Sequence, residues 1–206
     1  VRACAGATTS AVQVGMQGES GQLDSIKPDT SSATITLGGN DVGFRDFAED
    51  CITVGCAEGS EAYEDILYNI ENGLSPGLSN VYDQILAKNT AVKLYVIGYP
   101  YLVINSLLPC TTNIDSSERS AIYDVITLLN TKVESAVQAS QQSYGNRISY
   151  VTPNYTGGPF EGHTLCDAEP YFNGFNWPAD PVSFSFHPNS GGQIAYSHVI
   201  RDFIGS

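Results

Sequence analysis

Three stretches of this sequence carry residue types that could do chemistry. Ala33-Thr34-Ile35-Thr36-Leu37 is a short run of β-branched and apolar residues, the pattern of a strand buried on both faces. It breaks into Gly38-Gly39-Asn40-Asp41, a turn whose glycines let the backbone approach another group closely. In open α/β sheets ligands bind just beyond the carboxyl ends of strands, so Asn40 can aim its side-chain amide into such a crevice. Gly6 lies in a turn of small residues, Ala5-Gly6-Ala7-Thr8-Thr9, and His187-Pro188 opens the last helical stretch. A lone histidine before a terminal helix is ordinarily a packing or capping residue; His187 stands above that because Gly6 and Asn40 precede it in a fixed order.

A fourth stretch, Gly73-Leu74-Ser75-Pro76-Gly77, fits the G-x-S-x-G pattern of a nucleophile elbow for acyl transfer. That motif needs a strand before the serine, a helix after it, and an N–H from the following residue. Pro76 has no N–H to give, and the flanks read as helical, so Ser75 is expected to be an interhelical turn residue.

The elements that must position these residues alternate between strand and helix. Thr9 to Asp24 reads as helical or irregular, and Lys27-Pro28-Asp29 as a turn. Phe44 to Asp50 reads as a short helix, and Glu61 to Ile70 and Leu78 to Lys88 as amphipathic helices. Val92 to Gly98 is a second buried strand and Arg147 to Val151 a third. Asp115-Ser116-Ser117-Glu118 has the form of a capping box, followed by an apolar stripe of Ile122, Ile126, Leu129, Val133 and Val137. Ser190, with Gln193, is expected to cap a final helix buried through Ile194, Val199, Ile200 and Phe203. Such alternation implies a parallel, helix-covered α/β sheet. Between Pro153 and Phe186 the chain is loop-rich and aromatic, with Tyr155, Phe160, Tyr171, Phe172, Phe175 and Trp177. That stretch is either a substrate wall or a structural loop.

At 206 residues, one domain covering 1–206 is expected. A formal net charge of −13, with nine Lys and Arg, argues against nucleic acid and against docking to anionic membranes. No apolar run has transmembrane length. Five cysteines in an acidic, Lys-poor chain suggest secretion and disulfides. Cys51 and Cys56 are close enough to close a small loop, Cys110 and Cys166 lie in segments that need tying down, and Cys4 is left over. Zinc is not expected, because no CxxC pair occurs and His163-Thr164-Leu165-Cys166 stands by itself. Asn154-Tyr155-Thr156 is a glycosylation sequon, consistent with a secreted glycoprotein. The chain opens on Val1-Arg2-Ala3-Cys4 without an initiator methionine, which reads as processed or truncated.

Three blocks in this order, Cys4-Ala5-Gly6-Ala7-Thr8-Thr9, Gly38-Gly39-Asn40-Asp41 and Phe186-His187-Pro188-Asn189, resemble the second, third and fifth blocks of the SGNH hydrolases, the GDSL-type esterase and lipase superfamily. The likeness is strongest to secreted actinobacterial and fungal lipase-like members, and the cysteine layout resembles the three-disulfide pattern of that branch. The resemblance implies a three-layer α/β/α, flavodoxin-like fold and serine ester hydrolysis without cofactor or metal. The Gly6 N–H and the Asn40 amide would be oxyanion-hole donors, and His187 the general base. In many members an Asp three residues before the histidine orients it. Here that position is Phe184, so its backbone carbonyl is expected to accept the imidazole N–H, with a more distant Asp180 as the other choice.

The family's nucleophile sits in a Gly-Asp-Ser motif ahead of the second block, and this sequence contains none. In the flavodoxin-like order the first strand lies between the second and third. If Val1 to Cys4 ends the second strand, the central one is missing here. The expectation is a separate N-terminal fragment of the same protein that supplies that strand, the serine and a cysteine for Cys4; the chain by itself would be inactive. The substrate would be a lipid-like or phospholipid acyl ester. A carbohydrate acetyl- or feruloyl-type esterase is the rival within the enzyme class, and an inactive binding module the rival outside it.

Overall fold

The computed structural model describes residues 3–104, 110, 114–174 and 185–205. Three parallel strands, β1 (Ser32–Ile35), β2 (Lys93–Ile97) and β3 (Ile148–Val151), form one sheet in the order β1-β2-β3. Among the described residues six α-helices accompany them: α1 (Thr9–Val14), α2 (Phe44–Thr53), α3 (Glu61–Asn72), α4 (Leu74–Lys88), α5 (Ser116–Tyr144) and α6 (Ser190–Gly205). The α/β class with a parallel sheet is as the sequence predicts.

Side chains alternate between the two faces of a strand, so the register sorts them. Thr34 pairs with Tyr95, and Tyr95 meets Phe203 of α6 edge-on at 6.0 Å between ring centroids. Ala33 and Ile35 pair with Leu94 and Val96 on the opposite face, which α4 and α5 cover. Helix α6 packs against β3 and, through Phe203, against Tyr95 of β2. Ser32 and Thr34 are exposed and Ala33 and Ile35 half-buried, so the expected double burial of β1 is corrected to partial burial on one face. Two further facts belong with this. Among the described residues β1 pairs only with β2, and Ala3 and Cys4 are not in a strand, whereas Val1 and Arg2 lie outside the described residues.

The register is locked at the amino ends of β1 and β2. Asn89 Nδ2 donates to the carbonyls of Lys27 and Thr30, both at 2.9 Å, and Asn89 Oδ1 accepts from Ala91 N–H. Arg147, just before β3, donates to the carbonyls of Leu86 and Asn89. Helix α5 starts on the expected capping box: Asp115 accepts from the N–H groups of Ser117 and Glu118, and Glu118 accepts from Asp115 N–H. Ser117 and Glu118 hydrogen bonds hold the Asp115 carboxyl below its usual pKa. The predicted stripe of Ile122, Ile126, Leu129, Val133 and Val137 is buried throughout. Disulfides join Cys51 to Cys56 and Cys110 to Cys166.

Two helix starts differ from expectation. Helix α4 begins at Leu74, so Ser75 sits in its first turn, where Pro76 is tolerated because first-turn N–H groups have no intrahelical partner. Since α3 precedes it, Ser75 is not on a strand-to-helix elbow. Helix α6 is capped by Asn189, whose Oδ1 accepts from Gly192 N–H at 3.1 Å, and Ser190 is its first residue. The buried face of α6 is correspondingly Gly192, Ala195 and Val199, while Ile194 and Phe203 are 58% and 41% exposed.

Leu129 is 1% exposed at the centre of the α5 stripe. Leu129→Ala is expected to lower unfolding stability by about 2–5 kcal/mol, read from urea midpoints at unchanged m-value.

Candidate active site

The loop after β1 is held by its neighbours rather than by its own length. Gly38 has φ +119°, and a Cβ there would lie 2.9 Å from Leu74 Cδ1. Gly39 is buried, its N–H donates to Tyr99 Oη at 2.9 Å, and its carbonyl accepts from Phe44 N–H at 3.0 Å. Asp41 accepts from Thr9 N–H at 2.9 Å and from Thr9 Oγ1 at 2.6 Å. Between these fixed points Asn40 stands exposed, and its Nδ2 donates to the Ala7 carbonyl at 3.0 Å.

That bond joins two of the predicted blocks. Ala7 N–H donates to the Cys4 carbonyl at 3.2 Å, which closes a turn around Gly6 at φ +77°. Thr8 Oγ1 then caps α1 by accepting from Ala11 N–H. Asn40 is thus hydrogen-bonded to the residue next to Gly6, and both are solvent-accessible. One amide hydrogen fixes the Asn40 side chain, and an amide nitrogen carries two.

Tyr99, two residues beyond β2, reaches across to this loop. Its backbone N–H donates to Asn130 Oδ1 at 2.8 Å, and its carbonyl accepts from Asn130 Nδ2 and Asn154 Nδ2, both at 2.8 Å. Asn154 Oδ1 also accepts from Tyr101 N–H at 2.9 Å. Asn154 of the sequon is therefore engaged at both ends of its amide. Burial pushes the Tyr99 hydroxyl far above its ordinary pKa, with the Gly39 N–H opposing, so the phenol is neutral and able to accept.

His187 is exposed at the end of a tied arm. Phe186 has φ +63°, a left-handed backbone conformation that costs a non-glycine residue on the order of 1 kcal/mol. It is held there because Phe186 N–H donates to the Asn173 carbonyl and Asn173 N–H donates to the His187 carbonyl. The resulting bend brings His187 Nδ1 within 3.2 Å of the Ser185 carbonyl. Phe184 and Asp180, the expected partners of the imidazole, lie outside the described residues.

The arm is anchored to the same end of β2 as the Asn40 loop. Phe172 bridges to Pro188 and stacks on Phe160 at 5.8 Å; Phe160 meets Tyr196 edge-on at 5.1 Å; Tyr196 Oη donates to the Gly98 carbonyl at 3.4 Å. Of the aromatic stretch, Phe160 and Phe172 are thus core residues, which favours the structural reading for them. Tyr155 lines a groove of about 660 Å³ between β3 and α6. Phe175 and Trp177 lie outside the described residues.

Sequence reasoning did not single out Tyr99, Asn130, Asn173 or Ser185, and it read Asn154 as a glycan acceptor. Only Asn154 and Asn173 carried a signal, as polar residues in aromatic, Gly-rich surroundings. Among the described residues no group of His, Cys, Asp and Glu is placed to hold a metal ion, and no helix is long and apolar enough to cross a membrane.

No family model matches the chain. Among curated proteins it is 28% identical over 197 residues to Lipase 1 of Streptomyces coelicolor and 30% identical over 193 residues to a lipase of Streptomyces rimosus. Each alignment covers 93% of this chain and 64% of the relative, so the chain spans about two thirds of their length or slightly less. Among solved structures, the extracellular lipase of S. rimosus superposes with TM-score 0.79 at 26% identity, over 97% of this chain and 77% of that one. Phospholipase A1 of Streptomyces albidoflavus superposes with TM-score 0.78 at 26% identity, over 98% of this chain and 78% of that one.

Gly38 combines a positive φ with no room for a Cβ. Gly38→Ala is expected to cost about 1–3 kcal/mol in urea unfolding, whereas Gly43→Ala, also at positive φ but with nothing within 4 Å of an added Cβ, should cost less.

Proposed function

We propose, from the resemblance to the SGNH hydrolases that these relatives bear out, that the protein is a secreted carboxylic-ester hydrolase acting by serine acyl transfer. The observation that carries the reading is the 3.0 Å bond from Asn40 to Ala7, which sets an amide beside the Gly6 turn. A carbonyl oxygen that becomes an oxyanion needs two such N–H donors fixed in advance.

On this reading His187 Nε2 takes the proton of a serine hydroxyl as its oxygen bonds to the ester carbonyl carbon. The C=O electron pair moves to oxygen, where Gly6 N–H and the Asn40 amide bind it. Collapse of the tetrahedral adduct breaks the bond to the alcohol, which leaves with the proton held by His187. Water then repeats the sequence on the acyl-enzyme and releases the acid. The imidazolium formed in each half keeps its Nδ1–H directed at the Ser185 carbonyl. The serine is that of the Gly-Asp-Ser block that the SGNH pattern sets ahead of the block at Cys4, a motif these residues do not contain, and the strand that carries it would pair along the edge of β1 that is open among the described residues. Lipid-like acyl esters are the substrate class, in keeping with the lipase and phospholipase names of the relatives.

Full-length protein assayed on p-nitrophenyl esters is expected to lose about 10²–10⁴-fold in kcat on His187→Ala. Asn40→Ala should lose about 10²–10³-fold in kcat with KM little changed. Full activity in His187→Ala would contradict the mechanism.

A further inference from the structure

We propose that Tyr99 is a positioning residue for this reaction: its backbone is held by the two asparagines Asn130 and Asn154, and its hydroxyl sets the backbone from which Asn40 presents its amide. The inference rests on the hydrolase reading above and adds a residue to it. Tyr99 does not touch the reacting atoms; it acts through Gly39.

The geometry is a relay of short bonds. Asn130 on α5 grips Tyr99 at both its N–H and its carbonyl, each at 2.8 Å, and Asn154 grips the same carbonyl from beyond β3. With the backbone held from two elements, the Tyr99 hydroxyl oxygen accepts from the Gly39 N–H at 2.9 Å. Gly39 is bonded directly to Asn40 in the chain, and a Cβ on Gly39 would lie 3.2 Å from Tyr99 Oη, so the two are in close contact. Removing the hydroxyl leaves a buried N–H without its acceptor, and the loop must move to find water. An oxyanion donor shifted by a few tenths of an ångström loses transition-state binding while ground-state binding remains.

A matched control exists in the same molecule. Tyr82 on α4 is fully buried, and its hydroxyl is the one buried side-chain oxygen among the described residues with no hydrogen-bond partner. Tyr99→Phe and Tyr82→Phe thus delete the same atom from a half-buried tyrosine bonded to the loop and from a fully buried one that is not.

The test uses the full-length protein on p-nitrophenyl esters, together with amide hydrogen exchange at Gly39. Tyr99→Phe should lower kcat about tenfold with KM within about twofold of wild type, and should speed exchange at Gly39. Tyr82→Phe should leave kcat and Gly39 exchange unchanged. If Tyr99→Phe fails to fold, Asn154→Asp reads the relay from its other end. It keeps an acceptor for Tyr101 N–H but loses the donor to Tyr99, and it should also lower kcat at retained KM. A wild-type protein that turns over esters while Tyr99→Phe does so equally well overturns the positioning role alone. So does a lowered kcat with Gly39 exchange unchanged. A wild-type protein with no ester turnover overturns the hydrolase reading itself.

Discussion

A donor can stabilise a developing charge only if it need not be reoriented when the charge appears, and the loop at Gly38 to Asp41 meets that constraint by being bonded on every side. Tyr99 Oη holds Gly39, Ala7 holds the Asn40 amide, and Thr9 holds Asp41. Each bond is worth only about 1 kcal/mol net, but together they restrict a four-residue turn that would otherwise sample many conformations. The glycines follow from the same constraint. A Cβ at Gly38 would lie 2.9 Å from Leu74 Cδ1 and one at Gly39 3.2 Å from Tyr99 Oη, so a side chain at either would have to displace its neighbour.

The sheet is asymmetric in a way that bears on the site. Helix α4 packs against β2 and α5 against β3, while α6 packs against β3 and, through Phe203, against Tyr95 of β2. The strand that ends in the Asn40 loop has an exposed face and, among the described residues, is one of the two edges of the sheet, with β3 the other. An open edge is a place where another strand can pair, and here it adjoins the proposed oxyanion donors. The arm carrying His187 reaches the same end of the sheet by a different route, through the Phe172, Phe160 and Tyr196 aromatic contacts and a left-handed Phe186. Backbone strain next to a proposed general base is sustained only because Asn173 pairs with both Phe186 and His187.

Much of this was legible in the sequence wherever local physics dictates the answer. The 3.6-residue stripe of α5, its Asp115 capping box, the β2 run and the Cys51–Cys56 loop all follow from patterns within a few residues. The three blocks around Gly6, Asn40 and His187 were visible as residue types in order. What was not legible depends on tertiary contacts. The exposure of Thr34 is set by what packs on that face of β1, and the shift of the α6 cap from Ser190 to Asn189 reflects Asn189 also bonding the Pro170 carbonyl. Tyr99 and Asn130 are 31 residues apart and meet only once β2 and α5 are packed. Asn154 stands in a sequon, and what the sequence did not reveal is that both ends of its side-chain amide are hydrogen-bonded to the backbone at Tyr99 and Tyr101.

The most direct measurement is a crystal structure of the full-length protein after reaction with a fluorophosphonate, whose phosphonyl oxygen stands for the ester oxyanion. The account predicts an adduct on a serine outside these 206 residues. Its oxygen should lie about 2.7–3.1 Å from both Gly6 N and Asn40 Nδ2, with His187 Nε2 in hydrogen-bond reach of the serine oxygen. An adduct on a serine elsewhere, or one whose oxygen points away from Gly6 and Asn40, would contradict it.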